Sequence, residues 1–127
     1  MRKLAALLFG IFALHALDGF GQSPADMLKG TWVAESRYCG KSIYKIDRVD
    51  DKGTVYGSFT CLNTKWTPTL GDKVGKDAVK GTLTGTRFVM VNADGGGSDL
   101  ILNGTKLEGT GAVKSDSPRS PVTYLKQ

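Results

Sequence analysis

Ser98-Asp99-Leu100-Ile101-Leu102-Asn103-Gly104-Thr105-Lys106-Leu107-Glu108-Gly109 is the stretch that decides the fold. Leu100 and Leu102 on one side and Leu107 on the other give two short runs an apolar face each, at the period of two that marks a half-buried strand. Between them stands Asn103-Gly104. Asn-Gly is the strongest two-residue hairpin signal, because a type I′ turn needs positive φ at both central positions. The expectation is a hairpin of strands 98 to 103 and 105 to 113, with positive φ at Asn103 and at Gly104.

Working outward, the same punctuation recurs. Gly85-Thr86 reads as a tight turn joining strands 78 to 84 and 87 to 92. Asp50-Asp51-Lys52-Gly53 reads as another, with glycine in the left-handed position, joining 41 to 49 and 54 to 62. Strands at 30 to 38 and 120 to 126 complete a set of eight. No amphipathic helical stretch exceeds about two turns, and only residues 24 to 29 suggest a brief helix.

The order of the turns carries further information. The remaining connections, 63 to 77, 93 to 97 and 115 to 119, are longer, with Cys39-Gly40 the short exception. In an up-and-down meander turns alternate between the two ends, so the three tight hairpins share one end and the three long loops the other. Eight antiparallel strands with no helix to cover a face remove their edges by closing on themselves. The fold class expected is therefore all-β, a single-domain eight-stranded antiparallel up-and-down β-barrel. Its core candidates are Trp32, Ala34, Tyr44, Ile46, Val55, Phe59, Leu83, Phe88, Met90, Leu100, Leu102, Leu107 and Tyr124.

Residues 1 to 21 read as a secretory signal peptide: Arg2 and Lys3 precede an apolar run over 4 to 17, and Gly19 and Gly21 supply the small residues a cleavage site wants. The run is too short for a membrane span, which takes about 20 apolar residues, and no later run is apolar enough to serve. Residues 22 to 127 are then the mature domain, periplasmic or secreted. His15 is the chain's single histidine and leaves with the signal, so Ser-His-Asp, Cys-His and imidazole-zinc chemistry are excluded. Of 17 basic and 12 acidic residues, loss of Arg2, Lys3 and Asp18 leaves 15 against 11, interleaved along the chain as a solvated surface rather than a nucleic-acid patch.

Two cysteines in an oxidising compartment point to a structural Cys39–Cys61 disulfide closing a loop of about 22 residues. If Cys39 ended the first strand and Cys61 the third, two strand spacings of about 4.8 Å would separate them, too far for a bridge. Cys39 must therefore leave the ladder and fold over the rim, as Gly40 beside it allows.

Gly30-Thr31-Trp32 opening the first strand, followed by a glycine-punctuated meander, resembles the calycin group of lipocalins, avidins and small exported bacterial barrels. The resemblance implies that Trp32 plugs the closed end. It does not extend to biotin, whose site in avidins is a box of several tryptophans where this chain has Trp32 and Trp66 alone, nor to the C-terminal helix of lipocalins.

Other motifs dissolve on inspection. Asp94-Gly95-Gly96-Gly97-Ser98-Asp99-Leu100 resembles one turn of a glycine-rich calcium repeat, but a single copy cannot complete the oxygen shell, and a flexible loop is expected there. Gly71 to Lys76 has three residues between its glycines where a phosphate loop needs four, and Asp77 replaces the hydroxyl that holds magnesium. Asp50 and Asp51 are turn residues, and Asn103-Gly104-Thr105 is formally a glycosylation acceptor. No cofactor and no metal is implied.

The function expected is that of an exported, non-enzymatic binding module that takes a small ligand or partner at the long-loop end. The alternative is a cell-envelope interaction or inhibitor domain with a filled barrel; neither a nucleic acid nor a membrane span is foreseen, and the oligomeric state stays open. The site residues expected around the mouth are Tyr38, Lys65, Trp66 and Arg119, the tryptophan stacking on an apolar or sugar ring and the cations pairing an anion.

Overall fold

The computed structural model describes residues 22–71 and 78–127. The signal-peptide reading of residues 1 to 21, and Lys73 and Lys76 in the long connection, lie outside them. Helix α1 (Pro24–Leu28) precedes nine strands: β1 (Gly30–Ser36), β2 (Gly40–Val49), β3 (Val55–Cys61), β4 (Thr69–Leu70), β5 (Ala78–Thr84), β6 (Arg87–Val91), β7 (Gly97–Asn103), β8 (Lys106–Ala112) and β9 (Ser120–Lys126). They form one closed barrel in chain order, sealed where β1 pairs antiparallel with β9 through Trp32↔Lys126 and Val33↔Leu125. No helix among the described residues is long and apolar enough to cross a membrane.

The count of eight strands needs correction to nine. The added strand is β4, two residues inside the connection expected to be all loop, paired antiparallel with β3 and parallel with β5. Its reason is geometric. At their lower ends β3 and β5 approach directly, with Thr54 opposite Thr82 and Leu83 N–H donating to the Gly53 carbonyl at 2.7 Å. Above that point β4 stands between them. Leu70 of this wedge is buried, and Gly81 is narrow enough to admit it, since a Cβ there would lie 3.1 Å from the Leu70 side chain. So short a strand carries no hydrophobic period, and for that reason the sequence did not announce it.

All other neighbours are antiparallel, and the ends sort as the turn order implied. The turns 50–54, 85–86 and 104–105 lie at one end, and the connections 62–68, 92–96 and 113–119, with the short 37–39, at the other. The turn at 103 to 104 differs in type from the expectation. Asn103 pairs with Lys106 as the last rung of the ladder, so the two-residue loop is Gly104-Thr105, and Gly104 alone takes positive φ (64°). That is the pattern of a II′ turn, which needs glycine only at its first central position; Gly85-Thr86 repeats it, with Gly85 at φ 62°.

Inward-facing residues alternate along each strand, as Trp32-Ala34, Tyr44-Ile46, Phe88-Met90 and Leu100-Leu102 show. Leu83 is only partly buried, while Leu28, Leu70 and Val79 join the core unforeseen. The tight-turn end is plugged. Trp32 is fully buried and its indole N–H donates to the Leu28 carbonyl at 2.7 Å, fixing α1 across the barrel base. Lys126 Nζ adds a bond to the Met27 carbonyl at 2.7 Å and lies 5.2 Å from the Trp32 ring.

Candidate functional site

The opposite end is open, and the disulfide shapes its rim. Cys39 and Cys61 are bonded with their Cα atoms 4.8 Å apart. β1 has already ended at Ser36, and Cys39 lies in the turn on the β2 side, where Gly40 at φ 73° swings the chain around. Asn63 N–H donates to the Cys39 carbonyl at 2.9 Å, so Cys39 sits one strand from β3 rather than two. The close approach removes the obstacle that two strand spacings would pose.

Beyond Cys61 the chain makes a tight reversal. Lys65 adopts φ 59°, a left-handed conformation that costs a non-glycine residue about 1 kcal/mol, and Trp66 returns opposite Cys61 with backbone bonds in both directions. The half-buried Trp66 ring meets Phe59 of β3 edge to face, centroids 5.8 Å apart. This pair forms an aromatic wall. The 92–96 connection, expected as a flexible loop, is tied by hydrogen bonds to its own residues and to a neighbour. Asn92 Oδ1 accepts from the N–H groups of Asp94 and Gly96, and Ser115 N–H donates to the Asp94 carbonyl at 3.0 Å. A Cβ at Gly96 would collide with the Val113 carbonyl, so glycine there lets two mouth loops dock.

Between these walls lies a cavity of about 770 Å3. Phe59, Trp66 and the disulfide line one side, and Met90, Ala112 and Val122 line others. Ser42, Ser98 and Tyr124 line its deep end. The two serines are the buried polar side chains among the described residues, only 5% and 6% exposed. Tyr44, buried just beneath, donates to Ser98 Oγ at 2.7 Å, and the Tyr124 hydroxyl lies beside the Ser42 and Ser98 hydroxyls. The tyrosine rings lie 5.0 Å apart and close the floor. Burial drives the Tyr44 phenol well above its ordinary pKa and that of Tyr124 up to about 12, so the floor is uncharged at neutral pH. Among the described residues, the charged side chains that line the cavity, Glu35, Arg37 and Asp94, belong to its rim.

Of the four mouth residues expected from sequence, Tyr38 and Trp66 line this cavity. Lys65 and Arg119 belong to the same end but not to the lining. Arg119 is spent on structure: Nε donates to Thr110 Oγ1 at 2.9 Å and Nη2 to the Thr110 carbonyl at 3.1 Å, tying the 113–119 connection to β8. The hydroxyl floor was missed, although a signal existed. Ser42 shares the inward phase of Tyr44 and Ile46, and Ser98 that of Leu100 and Leu102, which places a polar group where an apolar one is the rule. No cluster of three or more His, Cys, Asp or Glu suited to a metal ion occurs among the described residues. No protein-family model, no curated protein and no solved structure matches the chain.

Proposed function

We propose that this chain is an exported, non-enzymatic binding protein of calycin-like build that takes a small ligand at the long-loop mouth of its barrel. The observation that carries the reading is the cavity of about 770 Å3 at that end, within the size range of small-molecule sites and walled by aromatic side chains over a few convergent polar groups. A disulfide, and the lack of a spanning helix among the described residues, accord with export. The plugged base supports assigning recognition to the mouth, because the pocket between α1 and the tight turns at that end is smaller, about 410 Å3.

The test uses the oxidised protein and prodan, a neutral naphthyl ketone whose emission reports its surroundings. Prodan should bind with a blue-shifted emission, and Trp66→Ala should weaken binding about tenfold while barely changing stability, in line with the loss of an aromatic stacking partner. Trp32→Phe should leave binding unchanged and lower stability by about 2 kcal/mol, through the lost indole hydrogen bond and the space vacated. Failure of the wild-type protein to bind either prodan or its sulfonate counterpart would sink the reading.

A further inference from the structure

Four hydroxyl groups meet at the cavity floor, and their bonds do not use all their hydrogens. Tyr44, Tyr124, Ser42 and Ser98 bring one O–H hydrogen each. Tyr44 donates to Ser98 at 2.7 Å, and the Tyr124 hydroxyl lies beside both serines. A hydrogen bond consumes one hydrogen, and the Tyr44–Ser98 bond uses that of Tyr44. Even with Tyr124 bonded to each serine, four hydrogens outnumber three contacts, so at least one donor remains, with acceptor lone pairs beside it. Buried polar groups ordinarily find partners, and three of these four residues line the cavity.

Resting on the binding reading above, we propose that the cavity selects neutral amphiphilic ligands. An apolar, planar body lies against Trp66 and Phe59, and an uncharged hydroxyl, carbonyl or amide head bonds to the Ser42–Ser98–Tyr124 floor. The exclusion of anions follows from charge placement. Among the described residues no cation lines the floor, both phenols stay protonated, and the rim carries Glu35 and Asp94 against Arg37. Of the two cations expected at the mouth, Arg119 is held in its bonds to Thr110 and Lys65 is outside the lining. A carboxylate or sulfonate pressed against the floor would surrender its hydration without a counter-charge.

The experiment compares prodan with dansylate, a sulfonate on a similar dimethylaminonaphthalene ring, by fluorescence titration of the oxidised full-length protein. Prodan should bind at least about tenfold more tightly. Ser98→Ala and, separately, Tyr124→Phe should weaken prodan about threefold to tenfold, the worth of one hydrogen bond, and should shift its bound emission further to the blue as the ketone loses its donor. Melting curves of each variant establish that it is folded, and Ser42→Ala stands in for either that is not. Equal or tighter binding of dansylate overturns the neutral-head inference while leaving the ligand cavity standing. So does prodan binding that survives all the floor substitutions unchanged. If neither probe binds, both readings fall together.

Discussion

Reducing the Cys39–Cys61 bond should cost this domain a large part of its stability, by an amount that its loop length sets. The bond spans 22 positions, and the chain-entropy relation converts that loop into about 11 cal/mol/K of lost denatured-state freedom, or about 3 kcal/mol near room temperature. For a domain of this size each kcal/mol moves Tm by roughly 4 to 8 °C, so reduction should lower Tm by roughly 12 to 24 °C. Cys39→Ala/Cys61→Ala should fall further, because both sulfurs are buried, at 7% and 2% exposure, and truncation also empties that space. Thermal unfolding followed by circular dichroism, with and without reductant, measures the effect, and intact mass verifies the redox state. The loss should be local in onset: amide exchange should rise first around Cys39 and Asn63, whose backbone bond the bridge protects, and last around Trp32 at the plugged end. A reduced protein melting within about 3 °C of the oxidised one would refute the reasoning, since a loop of this length could not then be free in the unfolded chain.

Gly104→Val should lower stability by about 1 to 2 kcal/mol in urea unfolding, and an unchanged midpoint would count against the turn. The penalty there is purely one of backbone conformation, because a Cβ at Gly104 meets nothing within 4 Å while its φ is 64°. Alkaline pH should destabilise the fold through the buried phenols. Tyr124 keeps its proton up to about 12 in the native state where the unfolded chain loses it near 10, so stability is flat below about pH 10 and declines by about 3 kcal/mol towards pH 12. Tyr44 acts in the same direction. Tyr124→Phe should remove part of the slope between about pH 9 and pH 12, and an identical pH profile for wild type and variant would contradict it.

Much of the architecture was legible because strands and tight turns are written locally. Alternation at 98 to 103 and glycine at 53, 85 and 104 needed no knowledge of distant neighbours, and turn order alone sorted the loops between the two ends. Type I′ geometry at Asn103 failed on a difference of one residue in register, which is decided by pairing with the partner strand rather than by the dipeptide. Tyr38 and Trp66 were placed at the mouth by topology, whereas the bonds of Arg119 to Thr110 were not legible, because a guanidinium on a loop looks the same in sequence whether it faces a ligand or braces a strand.

By itself, then, the sequence determined an all-β chain, which ends of its strands come together, that Cys39 and Cys61 meet, and that Trp32 is core, since each follows from local period, turn chemistry and chain order. Tertiary structure alone decided that β4 wedges between β3 and β5, that the 92–96 connection docks on its neighbour, and that four hydroxyls from β2, β7 and β9 converge under a cavity. Those outcomes depend on barrel closure, which sets residues such as Tyr44 and Ser98, 54 positions apart, within 2.7 Å. No local pattern encodes such a distance, because it is fixed by how all nine strands share one circumference.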